Sequence, residues 1–157
     1  MKKVYLAGSC SIENRTQMKQ IAEFLRAKGG TPDRQFEVYC PFELKIENAW
    51  EMTQENWAKE VFTRDVEAIN ECDYFVMVSP GRISSAGTNW EQGYAYALGK
   101  PVYVFQTTKE PTSLMTYCGC TKFIHSLTSD IDMLKLDILA VLMDRLEQDT
   151  FCRTVLT

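Results

Sequence analysis

The chain has 157 residues, of which 45% are apolar and 24% charged, and its net charge at neutral pH is −4. This composition is typical of one globular domain and excludes a mainly disordered chain. The negative net charge excludes the broad basic face that holds a nucleic acid polymer. No apolar stretch approaches the ~18 residues of a membrane span.

Strand and helix patterns alternate along the chain. Short apolar runs predict strands at Lys3–Ala7, Phe36–Cys40, Asp73–Val78, Pro101–Gln106 and Lys122–His125. Apolar residues at helical spacing predict helices at Asn14–Lys28, Gln54–Glu71, Thr88–Leu98 and Ile131–Leu146. Gly29-Gly30 is predicted to end the first helix. Residues 42–53 show no clear period.

Five strands separated by helices predict a single α/β domain over residues 1–157. The sheet should be parallel and doubly wound, of the flavodoxin-like or Rossmann-like kind. The third strand should be buried on both faces, because its apolar run is continuous. Ligands of such folds bind beyond the carboxyl ends of the strands. The loops that begin at Gly8, Ser79 and Thr107 are therefore expected to form the site.

The cysteines show no metal-binding pattern. The chain has six cysteines and one histidine, and no CxxC pair occurs. A zinc site usually needs four well-spaced ligands, so no metal is predicted. We expect free thiols, buried or half-buried, in the reducing environment of the cytoplasm.

The most informative segment runs from Ser84 to Ala95. Its Thr88-x-x-Glu91 pattern is typical of a capping box, with Thr88 as the N-cap and Glu91 reaching back to the helix start. A functional interpretation is also open. Glu91 would lie in the first helical turn at the ligand end of the sheet, where the helix dipole favours an ionised carboxylate. A positioned, ionised carboxylate is what nucleophilic attack on a sugar needs.

Residues 87–95, with the pattern Gly-Thr-x-x-Glu-x-Gly-Tyr-Ala, and residues 97–102, Ala-Leu-Gly-Lys-Pro-Val, carry a family resemblance. Together they resemble the signature of the nucleoside 2-deoxyribosyltransferase family. Val4–Ser9 resembles the family's first strand and glycine turn, and Asp65 falls on its active-site aspartate. Residues 111–115, Pro-Thr-Ser-Leu-Met, resemble the segment that reaches into a neighbouring subunit's site.

The resemblance implies cleavage of the N-glycosidic bond of a 2'-deoxynucleoside or its 5'-monophosphate. Glu91 would attack the anomeric carbon and form a glycosyl-enzyme ester, Asp65 would protonate the departing base, and Tyr5 would orient Glu91. Two carboxyls roughly 5 Å apart are the arrangement of a retaining glycosidase. The sugar would pass to another base or to water, with no cofactor. Alternatives are a solvated helix charge for Asp65 and a core aromatic for Tyr5.

Two serines depart from the pattern of transferases that act on free nucleosides. Those enzymes usually carry Asp at the position of Ser85 and resemble Asn at the position of Ser113. Both serines instead match the related 2'-deoxynucleoside 5'-monophosphate N-hydrolases, where such hydroxyls contact the 5'-phosphate. A hydroxyl donates to a phosphate that an Asp would repel. The substrate-binding residues that this implies are Gly8, Ser9, Ser11, Ser85, Gly87 and Ser113.

The expected partners follow from the same resemblance. They are a small-molecule nucleoside or nucleotide and a second copy of the chain, in a homodimer or higher homo-oligomer with Ser113 donated across the interface. No nucleic acid polymer and no membrane is expected. The competing function is a non-catalytic nucleotide-binding or sensor module on the same fold. The pairing of Glu91 with Asp65 argues against it, because a binder needs no paired acid and nucleophile.

Overall fold

The computed structural model describes residues 1–9, 11–28, 36–82, 84–128 and 130–155. The predicted helix end at Gly29-Gly30 lies outside these residues, as does Cys10. The strands are β1 (Lys2–Gly8), β2 (Phe36–Tyr39), β3 (Tyr74–Ser79), β4 (Val102–Gln106) and β5 (Lys122–His125). The helices are α1 (Ile12–Lys28), α2 (Gln54–Glu71), α3 (Ala86–Ala97), α4 (Leu114–Cys118) and α5 (Ile131–Val155).

The five strands form one parallel sheet in the order β2-β1-β3-β4-β5. The predicted doubly wound α/β domain is therefore confirmed, in its flavodoxin-like form. The strand order reverses between β1 and β3, and ligands bind at this reversal in folds of this order. The β3 segment is buried along nearly its whole length, as its continuous apolar run predicts.

Alternate residues of β1 face opposite sides of the sheet, as the strand period requires. Val4 and Leu6 belong to a core that includes the buried residues of α1 and α5. Tyr5 and Ala7 belong to a second core beneath α2 and α3, with Ile69 among its members. The sheet is thus covered on both faces, which explains its strongly apolar strands.

Helices α4 and α5 depart from the sequence prediction. Helix α5 continues past Leu146 to Val155, and within this extension Asp149 accepts hydrogen bonds from Tyr74 and Arg145. Helix α4 was not predicted, because five residues are too few to show a helical period. The segment 42–53 holds Ala49–Glu51 and the end of Pro41–Glu43, which each form a 3-10 turn.

The described cysteines are free thiols, and their burial is only partly as expected. Cys40 and Cys72 are buried, but Cys118 and Cys152 are exposed. The two exposed thiols lie at the end of the short helix α4 and near the end of α5, where little structure covers them. Among the described residues, no helix combines the length and the apolar character that a membrane crossing requires.

Candidate active site

A cavity of about 390 Å³ lies beyond the carboxyl end of β1, beside the strand reversal. Its apolar lining comes from the segment after β2 and from α2. Polar and charged groups come from α1, α2 and the start of α3. The apolar side chains are Pro41, Phe42, Leu44, Ile46, Trp57 and Val61, and the polar ones are Arg15, Asp65, Ser85, Thr88 and Glu91.

Helix α3 begins earlier than its sequence pattern predicts. Ser85 is the N-cap, and its Oγ accepts a hydrogen bond from the Thr88 backbone N–H at 3.2 Å. The predicted capping box, with Thr88 as the N-cap, is therefore wrong. The Thr88 side chain is buried and donates to the Gly8 carbonyl at 2.9 Å, which ties α3 to the end of β1. This long-range bond is why Thr88 does not serve as a cap.

The earlier start moves Glu91 into the second turn of α3, and no acidic residue occupies the first turn. The expected position of Glu91 in the first turn, where the helix dipole would favour its ionised form, is therefore wrong. Burial raises the pKa of Glu91 to about 7, the hydrogen bond from Tyr5 opposes this rise, and the charge of Asp65 adds to it. The Tyr5 hydroxyl donates to Glu91 Oε1 at 3.0 Å. This is the contact that the family resemblance implies.

Asp65 is half-buried on the cavity side of α2, and its hydrogen-bond partner was missed in the sequence. The Tyr39 hydroxyl donates to Asp65 Oδ1 at 2.8 Å. Burial raises the pKa of Asp65, while the Tyr39 hydrogen bond opposes the rise. Asp65 is thus not the solvated helix charge of the alternative interpretation. The available signal for Tyr39 was its place at the end of the second predicted strand.

The two tyrosines lie next to each other in the sheet. Tyr5 pairs with Tyr39 across the parallel strands β1 and β2, and their rings stack with centroids 5.4 Å apart. Tyr5 also pairs with Phe75 on β3 and stacks on it at 5.3 Å. Tyr5 is both a fully buried core aromatic and the donor to Glu91, so the two interpretations of this residue are not exclusive.

The predicted binding residues divide between two places. Gly8, Ser85 and Gly87 line the cavity with Glu91, and a Cβ at Gly8 would meet Met18 Sδ at 2.7 Å. A Cβ at Gly87 would point into open space, so packing within the chain does not require a glycine at this position.

Three predicted serines lie elsewhere. Ser9 and Ser11 follow β1 without lining the cavity, and the Ser11 Oγ accepts from the Asn14 N–H at 3.3 Å. Ser113 is the N-cap of α4 and lines a different cavity of about 450 Å³, together with Gln92 and Cys118. Within one chain, the structure therefore does not bring Ser113 to Glu91.

The loops at the carboxyl edge of the sheet contribute unequally. The loop after β3 supplies Ser85, as expected, but residues 107–110 after β4 do not line the cavity. They pack against the preceding loop instead, where Thr108 Oγ1 donates to the Pro80 carbonyl at 2.8 Å. The segment after β2, which was not expected in the site, supplies most of the apolar lining of the cavity.

The sequence profile described as nucleoside 2-deoxyribosyltransferase matches residues 4–141. The chain belongs to the nucleoside 2-deoxyribosyltransferase family. Its predicted activity as an enzyme that transfers or cleaves N-glycosidic bonds is therefore confirmed at the level of the family. No curated protein sequence matched the chain.

Solved structures agree with this family assignment. A 2-deoxyribosyltransferase from Bacillus psychrosaccharolyticus is 26% identical in sequence to this chain, with a TM-score of 0.61. The match covers 85% of this chain and 90% of that enzyme's chain. The CMP N-glycosidase BcmB from Clostridium botulinum is 26% identical with a TM-score of 0.58, covering 87% of this chain and 98% of its own. A conserved protein from Enterococcus faecalis V583, 21% identical with a TM-score of 0.57, shares the fold and covers 92% of this chain and 99% of its own.

The buried Glu91 carboxyl makes stability depend on pH. In the folded protein the pKa of this carboxyl rises from its ordinary value of 4.5 to about 7, so folding disfavours the ionised form. This destabilisation is absent below about pH 4.5, grows between that pH and 7, and is complete above 7, at roughly 2–3 kcal/mol. We expect Glu91→Gln to be more stable than wild type at pH 8, with a smaller difference at pH 5.

Denaturant unfolding of both proteins at several pH values measures this difference. Glu67→Gln changes an exposed glutamate on α2 in the same way and controls for the substitution itself. A Glu91→Gln advantage that does not change between pH 5 and pH 8 would contradict the prediction.

Proposed function

We propose that the chain cleaves the N-glycosidic bond of a 2'-deoxynucleoside or its 5'-monophosphate through a covalent deoxyribosyl-Glu91 intermediate. The observation that supports this proposal is the convergence of Glu91 and Asp65 on one cavity. The two carboxyls come from different helices, and each accepts a hydrogen bond from its own tyrosine. A site that only binds nucleotides has no need for two such groups.

In the first step, a carboxylate oxygen of Glu91 attacks C1' of the sugar. The new C–O bond forms as the C1'–N bond breaks, and Asp65 transfers a proton to the departing base. In the second step, a second base or water attacks C1' and loses a proton to Asp65, and the ester bond to Glu91 breaks. The net reaction exchanges the base or hydrolyses the bond, and no cofactor takes part.

Burial raises the pKa of both carboxyls. Glu91 attacks in its ionised form, which a pKa of about 7 makes more available as the pH rises through neutrality. Its carboxylate is only partly hydrated because the group is buried. The Tyr5 hydroxyl holds Oε1, so Oε2 is the oxygen that faces the sugar. The raised pKa of Asp65 favours the protonated form that an acid needs.

We infer from the lining of the cavity where the parts of the substrate bind. Trp57, Val61 and Asp65 follow one another at four-residue spacing on α2, so the acid and the apolar side chains share one helix face. The departing base must lie near Asp65, and this face offers it an apolar surface. The sugar and its 5' end then lie towards Ser85 and Arg15.

Two features support recognition of a 5'-phosphate. Arg15 provides a positive charge beside the cavity, where its guanidinium lies 6.0 Å from the centre of the Phe42 ring. The Ser85 hydroxyl lies 2.6 Å from Thr88 Oγ1, which itself donates to Gly8. Ser85 is therefore the donor in that pair, and its O–H rotates away from Thr88 when it donates to a phosphate. The similar structure from Clostridium botulinum is described as a CMP N-glycosidase.

We also place the enzyme in the cytoplasm, in the salvage of deoxynucleotides. Its exposed thiols, Cys118 and Cys152, support a reducing compartment, since such groups oxidise readily outside the cell.

A product assay tests the function. The protein is incubated with deoxynucleosides and with their 5'-monophosphates, with and without a second free base. Release of free base with a sugar product supports glycosidic cleavage, and a new nucleoside in the presence of added base shows transfer. No base release from any of these compounds would contradict the proposed function.

Replacing the nucleophile should abolish turnover while preserving the fold. We expect Glu91→Ala to lower base release by several orders of magnitude, because no ester can form. Its thermal midpoint should not fall, since the substitution removes a buried carboxylate. A Glu91→Ala protein that releases base at a near-normal rate would remove Glu91 from the mechanism.

Changing the charge at Ser85 should change the preferred substrate. We expect Ser85→Asp to lower kcat/KM on the monophosphate by about ten- to a hundredfold, because its carboxylate repels the phosphate dianion. Activity on the free nucleoside should change little. Ser85→Asn is the matched control: Asp and Asn both serve as N-caps and are similar in size, so only the charge differs. Equal losses on both substrates would contradict phosphate recognition at Ser85.

The position of Ser113 predicts a homodimer or higher homo-oligomer. Ser113 lies outside the Glu91 cavity of its own chain, so it can only join such a site from another copy. We expect light scattering to show the assembly. We also expect mixed Glu91→Ala and Ser113→Asp subunits to recover activity on the monophosphate that neither variant has alone. An active monomer, or the absence of recovery after subunit exchange, would contradict this prediction.

A further inference from the structure

Three aromatic side chains form a row across the middle of the sheet. Tyr39 on β2, Tyr5 on β1 and Phe75 on β3 occupy one register level, since Tyr5 pairs with both of its neighbours. The rings stack at 5.4 and 5.3 Å, with interplanar angles of 22° and 7°. Tyr5 and Phe75 are fully buried, whereas Tyr39 is half-buried and bonds to Asp65, which lines the cavity.

The hydroxyls of the row reach carboxyls on two different helices. Tyr5 donates to Glu91 of α3 at 3.0 Å, and Tyr39 donates to Asp65 of α2 at 2.8 Å. Because the two phenol rings are stacked, the spacing of the strands fixes the spacing of their hydroxyls. The row therefore sets where each carboxyl lies relative to the other.

We propose that Tyr39 is a positioning residue for protonation of the leaving base, acting through the Asp65 carboxyl. This inference rests on the proposed function. The resemblance that identifies Tyr5, Asp65 and Glu91 assigns no role to Tyr39. What supports a role is its direct bond to Asp65 and its stacking on Tyr5.

The hydrogen bond has two effects on proton transfer. Tyr39 occupies Asp65 Oδ1, and no other described residue bonds to the carboxyl, so Oδ2 carries the proton to the base nitrogen. When that proton leaves, the C1'–N bond electrons stay with the base and the negative charge moves to Asp65. The Tyr39 hydroxyl stabilises this charge, so Asp65 is a stronger acid than its burial alone would allow.

Tyr39→Phe tests the proposal, because it removes the hydroxyl but keeps the stacked ring. We expect kcat on an unmodified substrate to fall by about ten- to a hundredfold, the effect of one hydrogen bond to a charged group. KM should change little, since Tyr39 holds the acid and does not contact the substrate. Tyr74→Phe is the matched control: Tyr74 also donates to a carboxylate, Asp149, at 2.6 Å, but in the other core.

Leaving-group dependence separates positioning from a structural effect. An N7-methylated purine substrate, or a 5-fluorinated pyrimidine one, needs less protonation of the departing base. We expect the loss in Tyr39→Phe to shrink to about threefold or less on the activated substrate, as expected when proton donation is the defect. Tyr5→Phe, which acts on the nucleophile, should lose a similar factor on both substrates. A similar loss on both substrates in Tyr39→Phe, or no loss at all, would overturn the proposal.

Asp65→Asn distinguishes this failure from failure of the proposed function. If Asp65→Asn is inactive on the unmodified substrate while Tyr39→Phe is normal, only the role of Tyr39 is wrong. If Asp65→Asn cleaves the unmodified substrate normally, Asp65 is not the acid, and the mechanism proposed for the site fails with it.

Discussion

Two carboxyl groups that are held close to one another, out of bulk water, are the constraint on which this structure depends. Burying a charged group is unfavourable unless it is hydrogen-bonded, and each carboxyl accepts a hydrogen bond from a tyrosine hydroxyl. These bonds do not remove the cost, since the pKa of both Glu91 and Asp65 stays raised. A raised pKa suits the acid that is proposed for Asp65, whereas attack by Glu91 requires that this group has lost its proton.

The strand order explains how these groups meet. Strands β2, β1 and β3 are neighbours only because the chain crosses between the two sides of the sheet, and the aromatic row occupies these three strands. Helices α2 and α3 cover the same face and supply one carboxyl each. The two carboxyls are therefore positioned by elements far apart in sequence, as the separation of 86 positions between the bonded Tyr5 and Glu91 shows.

The start of α3 shows how a local pattern can serve a different purpose. Thr88 and Glu91 have the spacing of a capping box, but a capping box needs both side chains at the helix start. Here Ser85 caps the helix, Thr88 bonds to Gly8 across the strand reversal, and Glu91 turns towards Tyr5. The bonds of Thr88 and Glu91 join α3 to β1, and Thr88 makes its bond where it is buried away from water.

The sequence by itself determined the order of the elements, the parallel sheet and the family. Continuous apolar runs such as that of β3 and the helical spacing of Gln54–Glu71 depend on residues close together in the chain, so they are visible without the fold. The family motif likewise placed Tyr5, Asp65 and Glu91 among the candidates.

Only the tertiary structure decided which partners these residues have. Tyr39 has no distinctive local pattern, and its role depends on strand pairing with Tyr5 and on the approach of α2. The surroundings of Glu91 were mispredicted because α3 begins earlier than its local pattern indicates and because burial, a property of the whole fold, raises the pKa of the carboxyl. Ser113 lies apart from the Glu91 cavity. Its motif is visible in the sequence, but only the packing of the chain determines which site it can reach.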